Sequence, residues 1–264
     1  MIKRAKKVTL LAGIALSSGA AFIWGVSIPG KAPQLARAAT DGPVLVELFT
    51  SQGCSSCPPA EALLRELAQT PGVVAIEWHV DYWDTLVHRG SSWKDPFSSR
   101  AFTARQRAYN RTLRGTSGVY TPQSVIAGQA EAVGSSRAQI FRAINAVPSA
   151  PVHVETQQIG DRATAQVAGA SGAHQGADVH FVRLLKRHDT RVSRGENKGR
   201  DLSGVHVALE RVKLGTFENT AQQFELPPLR PNETCAIIVQ NADGWLGPVL
   251  GAAYCPNLHP VESR

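Results

Sequence analysis

Apolar residues run almost unbroken through Pro43–Phe49 and again through Val73–Val80. Such short runs, rich in β-branched residues, predict strands buried on both faces of a parallel sheet. Between them, Ala60, Leu63, Leu64 and Leu67 fall at i, i+3, i+4 and i+7, which predicts an amphipathic helix from Pro58. Prolines at its first positions cost little, because those N–H groups have no helical partner. Pro71-Gly72 ends it, so strand, helix and strand form a βαβ unit.

The segment Asp81–Asp95 is polar and aromatic without a period, and predicts irregular chain. Ser98–Arg114 predicts a helix with Phe102, Tyr109 and Leu113 inward. Its Arg100, Arg105, Arg107, Arg111 and Arg114 read as a solvated face. Val119–Ala127 predicts a strand that begins at Thr121-Pro122, and Ser135–Ala146 a helix with Ile140, Phe141 and Ile144 inward. After residue 150 the period changes to two, in Val152–Thr156 and Ala163–Val167. Val179–Leu185, Val205–Val212, Cys235–Val239 and Val249–Tyr254 are further strand candidates. The expected class is therefore α/β, with an inserted helical segment before residue 150 and a C-terminal antiparallel β module after it.

Residues 1–38 follow a different logic. A basic start, Met1–Lys7, precedes a mostly apolar stretch, Val8–Ile28, and Ala36-Arg37-Ala38 offers a small-x-small cleavage signal. This is the three-part pattern of a secretory signal peptide cut before Ala39. No arginine pair is present in the basic start, which favours the general export route. The alternative is an uncleaved anchor, since about 20 apolar residues span a bilayer, and membrane contact is expected only in that case. The expected domains are then 1–38 signal, 39–150 and 151–264.

Composition narrows the function. With 43% apolar and 19% charged residues the chain is globular, not disordered, collagen-like or a multi-span membrane protein. The net charge of +7 belongs to residues 1–38, which carry six basic residues and no acid; 22 basic and 21 acidic residues remain beyond them. No nucleic-acid partner is expected. A phosphate-binding loop, a dinucleotide glycine fingerprint and a Gly-x-Ser-x-Gly elbow are all absent from the sequence, so no cofactor is expected.

The candidate chemistry lies in four cysteines. Outside the cytoplasm disulfides persist, and four cysteines allow three pairings. Cys54 and Cys57 are separated by Ser55 and Ser56, after a strand and at a helix start. A helix N-terminus favours a thiolate, the form that attacks a disulfide. This makes Cys54 the candidate nucleophile and Cys57 the resolving thiol, with Ser55-Ser56 tuning the potential. The alternatives are an inert bridge and a Cu(I) ion on two thiolates. A second close cysteine pair is absent and the eight histidines are scattered, so no zinc site is expected. Cys235 and Cys255 read as a structural bridge between neighbouring strands, worth roughly 3 kcal/mol; a redox relay is the sharper alternative. His79, Asp81 and Trp83 leave the second strand at the end where α/β sheets bind ligands. They read either as lining the site or as pinning the irregular segment. Arg194–Arg200 reads as a surface loop, or as one folded back over the cysteines.

The segment Val44–Cys57 and the helix after it resemble the active-site region of the thioredoxin superfamily. Tyr120-Thr121-Pro122 resembles that superfamily's cis-proline loop, which implies that Thr121 and Pro122 face the cysteines and bind peptide. Glu47 resembles its buried acid, with one extra residue intervening, which implies that it takes the proton of Cys57. Val46–Ala60, His79–Asp84, Trp93–Phe97, Thr103–Gln106 and Arg194–Asn197 are similar to an exported bacterial family of unknown function with a thioredoxin-like domain. The combined expectation is an exported thiol–disulfide oxidoreductase acting on protein thiols or disulfides, recharged by an unidentified redox partner. A binding protein and a structural domain with two inert disulfides are the alternatives.

Overall fold

Consecutive β-branched and leucine side chains make β1 (Val44–Thr50) and β2 (Val73–His79) strands with every residue buried, paired in parallel from Val44↔Val73 to Thr50↔His79. The computed structural model describes residues 35, 42–159, 162–169, 176–218, 220–241 and 246–256. The expected signal of residues 1–38 lies, apart from Leu35, outside them. Among the described residues no helix is long and apolar enough to cross a membrane.

α1 (Pro58–Leu67) joins β1 to β2, and α2 (Arg100–Arg114) follows the irregular segment after β2. Ser99 caps α2 by accepting from the Ala101 N–H at 3.2 Å, and Gly115 ends it in the left-handed region at φ 65°. β3 (Gln123–Ile126) and β4 (Ala130–Val133) form an antiparallel hairpin beside β1, followed by α3 (Arg137–Ala146). Beyond these come β5 (Val152–Ile159), β6 (Arg162–Gly169), β7 (Ala177–Arg191), β8 (Asp201–Phe217), β9 (Gln222–Glu225), β10 (Glu233–Gln240) and β11 (Val249–Tyr254).

The result is mixed α/β. One eight-stranded sheet has the order β11-β10-β7-β8-β2-β1-β3-β4, and β5-β6-β9 form a second sheet of three strands. β8 runs parallel to β2 and meets it in register only at Glu77↔Val207. The expected division near residue 150 therefore does not separate two bodies: β7, β8, β10 and β11 extend the first sheet, and the described residues form one compact unit. Antiparallel pairing does hold within the later strands. The strand expected over Val119–Ala127 is shorter, because β3 starts only after Pro122.

The two faces of the β1–β2 pair differ. Val44, Val46 and Leu48 pack with α1 and α3, through Leu63, Leu64, Leu67, Ile140 and Ile144. Leu45 and Phe49 pack on the other face with Phe102 and Tyr109 of α2. Glu47 is two residues from both Leu45 and Phe49, so it shares their face and points at α2. It is fully buried there in a bidentate pair with Arg105, Nε to Oε1 at 2.7 Å and Nη2 to Oε2 at 3.1 Å. The Tyr109 hydroxyl donates to the same carboxylate at 2.5 Å, and the Arg105 guanidinium lies over the Trp78 and Tyr109 rings. Arg105 is thus not on a solvated face; it is 3% exposed. A buried carboxylate requires this partner. Arg105→Met should cost about 3–5 kcal/mol in urea unfolding, and adding Glu47→Leu should recover much of the loss, because the unpaired charge is then gone.

Candidate functional site

The chain leaves β1 at Thr50 and turns through Ser51-Gln52-Gly53. The Ser51 carbonyl accepts from the Cys54 N–H at 3.0 Å, and Cys54 O accepts from Cys57 N–H at 3.2 Å. Cys57 occupies the N-cap position of α1, whose first two residues are prolines. Cys54 and Cys57 form a disulfide with their Cα atoms 5.5 Å apart. Both are fully buried, while Ser55 and Ser56 between them are exposed. The second disulfide joins Cys235 of β10 to Cys255 just past β11, where the Cys255 N–H also bonds the Cys235 carbonyl at 2.7 Å.

Residues 194–200 lie over this loop. Asn197 is fully buried and donates through Nδ2 to the carbonyls of both Gln52 and Cys54 at 2.9 Å. Glu196 Oε2 accepts from the Ser55 N–H at 3.1 Å, and the Ser55 side chain and this N–H together hold its carboxyl below the usual range. Of the two readings of this segment, the surface loop is therefore replaced by one folded back on the cysteines.

A polar layer fills the space below, on the α1 face of the sheet. Leu48, Thr50, Glu77 and His79 share this face by register. Thr50 donates to Glu61 Oε1 at 2.7 Å; burial and the nearby Glu77 charge push the Glu61 carboxyl up to about 7. His79 Nδ1 lies 2.7 Å from Asp95 Oδ2 and its Nε2 lies 3.0 Å from Glu77 Oε1. Burial opposes a charge on His79, but Asp95 and Glu77 outweigh it and raise its pKa well above the ordinary value. Asp95 also accepts from the Gln52 and Phe97 N–H groups at 2.7 and 2.9 Å, which joins this layer to the cysteine loop.

Each expected site residue can now be placed. His79 does not line a surface site; it is buried in the polar layer. Asp81 pins the irregular segment, accepting from Thr103 Oγ1 at 2.6 Å. Trp83 lies between the cysteine loop and the proline loop: its Nε1 donates to Thr121 Oγ1 at 2.7 Å, and a Cβ on Gly53 would sit 3.5 Å from Trp83 Cβ. The Thr121–Pro122 peptide bond is cis. Glu47 cannot take a proton from Cys57, because it faces α2, across the sheet from α1, and is held by Arg105. Beside the cysteines, Gly53, Trp83, Leu86, Val87, Trp93 and Glu196 line a cleft of about 260 Å³. Leu86 and Val87 are 50% and 70% exposed on its wall. A larger apolar cavity, about 380 Å³, lies at the opposite end of β1, near Pro43 and Val249, and has no ionisable side chain in its lining.

Sequence reasoning missed Glu61, Glu77, Asp95, Asn197 and His188. Glu77 and His79 are two apart on a strand and hence on one face, which was a usable signal. Asp95 and Asn197 lie within the segments that carry the family resemblance. His188 had none.

Together these features define a mixed α/β protein with a shielded Cys-Ser-Ser-Cys disulfide between a strand and a helix. The chain belongs to a protein family of unknown function, DUF1223, whose model matches residues 45–240. It is similar to a protein of Agrobacterium tumefaciens of known crystal structure, with 29% identity over 87% of this chain and 100% of that one, and a TM-score of 0.71. HBP35 of Porphyromonas gingivalis shares the fold alone, at 13% identity, with 84% of this chain and 78% of that one covered and a TM-score of 0.54. No curated protein matches the sequence.

The hold of Asn197 on the loop is testable. Two hydrogen bonds of about 1 kcal/mol each shield the bridge, so Asn197→Ala should speed reduction of Cys54–Cys57 by dithiothreitol about thirtyfold. Mass spectrometry of quenched samples reads this, and the Cys235–Cys255 rate should stay unchanged.

Proposed function

We propose that this protein is an exported thiol–disulfide oxidoreductase with a thioredoxin-like core. The observation that carries the reading is the cysteine pair at the junction of β1 and α1, beside a cleft with exposed Leu86 and Val87. The order β2-β1-β3-β4, with β1 and β2 parallel and β3 and β4 antiparallel, supports the thioredoxin-like comparison. Two disulfides suit an oxidising compartment, and the pattern of residues 1–38 suits export.

In this reading an extended segment of a protein substrate docks on Trp83, Leu86 and Val87. In the reduced form, the Cys54 thiolate attacks a substrate disulfide and forms a mixed disulfide, releasing one substrate thiolate. The Cys57 thiolate then attacks Cys54 Sγ, the second substrate thiolate leaves, and the Cys54–Cys57 bond closes. Two electrons pass to the substrate. Run in reverse, the closed bridge oxidises a substrate dithiol, and a separate redox partner resets the pair. The proton of Cys57 goes to Glu61, one helical turn further along the buried face of α1, in place of Glu47. The N-terminus of α1 favours both thiolates.

The complete burial of both sulfurs favours a second reading, an inert bridge. The reduction potential separates the two. Titration of the mature protein in glutathione buffers should give a potential above roughly −270 mV, the range of working oxidoreductases. Cys54→Ser should abolish exchange with a model disulfide. A bridge still closed at about −300 mV would overturn the proposal.

A further inference from the structure

Two polar atoms under the cysteine loop are buried without a hydrogen-bond partner: Glu77 Oε2 and His188 Nε2. Glu77 is 1% exposed and His188 8%. Both atoms point at the same spot, since a Cβ added to Gly204 would fall 2.7 Å from Glu77 Oε2 and closer still to His188 Nε2. Leaving such groups unpaired is costly, so their convergence calls for a ligand.

The surroundings say what kind. One donor atom from each of Glu77, His79 and His188 lies within 4.8 Å of the others. His79 Nδ1 is held by Asp95 and His188 Nδ1 by Thr190 Oγ1 at 3.2 Å, so each ring turns Nε2 toward Glu77 or the Gly204 face. A histidine held at one nitrogen, with the other turned to a carboxylate or left unpartnered, presents a nitrogen that a metal can take. Asp95 and Glu77 place two carboxyl groups directly on the His79 ring. Two imidazoles and one carboxylate suit zinc and its transition-metal neighbours, not Mg²⁺ or Ca²⁺.

We propose that Glu77, His79 and His188 form a buried site for a divalent transition-metal cation, with Zn²⁺ as the ion that fits, and that it clamps the two halves of the large sheet together. The position supports the role. β2 and β8 meet in register at one residue pair only, and Glu77 is half of it. His188 arrives on β7, paired with Gly204 of β8. A metal here joins the β7–β8 hairpin to β2 where backbone pairing is thinnest. Thr190 also accepts from Gln52 Nε2 at 3.0 Å, so the same cluster reaches the cysteine loop. The inference stands whether or not the cysteines turn over.

The test uses mature protein with both disulfides closed, so that no thiolate competes. It is unfolded with a chelator, refolded with Zn²⁺, and freed of excess metal. One zinc per chain is expected by mass spectrometry, with a higher melting temperature than protein refolded without metal. Glu77→Gln and His188→Gln should each lower affinity at least 100-fold, and Asp95→Asn about 10–100-fold. X-ray absorption should show nitrogen and oxygen ligands near about 2.0–2.1 Å and no sulfur. A Cys54→Ser/Cys57→Ser variant should keep its zinc, which separates this site from the thiol reading. Zinc that is absent, sulfur-bound, or retained equally by folded Glu77→Gln and His188→Gln overturns the proposal.

Discussion

Asp95 is the carboxylate on which the site depends. It accepts from the Gln52 N–H and meets His79 Nδ1 through one oxygen, and accepts from the Phe97 N–H through the other. Three separate segments are thereby fixed to one point: the turn before Cys54, the end of β2 and the irregular chain before α2. Burial alone would drive its proton on. The charge and hydrogen bond of His79, with the two backbone donors, hold its pKa below the ordinary value instead. A side chain this well satisfied is rigid, and it transmits that rigidity to the cysteine loop.

The same sheet carries a second buried charge cluster on its other face, Glu47 with Arg105 and Tyr109. Replacing buried ion pairs by apolar side chains is often neutral or stabilising, so their presence argues for something besides stability. Here each cluster selects a neighbour. Arg105 Nη2 reaches Gln240 Oε1 on β10 at 3.0 Å, and the Gln240 amide donates to Tyr109 at 2.9 Å. Glu77 and His79 meet His188 on β7. The N-terminal half of the sheet is thus keyed to the C-terminal half on both faces. This explains why β7, β8, β10 and β11 extend the first sheet and do not form a body of their own.

Periodicity made the local elements legible. The β1–α1–β2 unit, the α2 and α3 helices and most later strands follow from spacing alone, and so does the cysteine pair at a helix start. What was not legible depends on partners far along the chain. Arg105 looks like its solvated neighbours Arg107 and Arg111 until Glu47 is placed 58 residues away. Glu47 sits on the same strand that leads to the cysteines, yet alternation turns it to the opposite face. Asn197 contacts Cys54 only because a 15-residue and a 17-residue strand carry the 194–200 segment back over the site. The apolar pattern of those strands says nothing about which sheet they join, so the domain boundary could not be read from it.

A shielded disulfide is compatible with exchange if its cover is weakly held relative to the fold. The 194–200 cover holds the cysteine loop directly by two bonds from Asn197 and one from the Ser55 N–H to Glu196. At about 1 kcal/mol each, releasing them costs about 3 kcal/mol, less than the 5–15 kcal/mol that unfolds a domain. Local opening of this size falls within the range of ordinary sub-global fluctuations. Asn197 is buried, but its neighbours Arg194, Lys198, Gly199 and Arg200 are exposed, so lifting the loop exposes little apolar surface. The polar layer underneath would stay in place, since Asp95 and Thr50 belong to the sheet side of the site and not to the cover. Opening would then expose Cys54 while the backbone that positions it remains fixed, which is the condition an attacking thiolate requires.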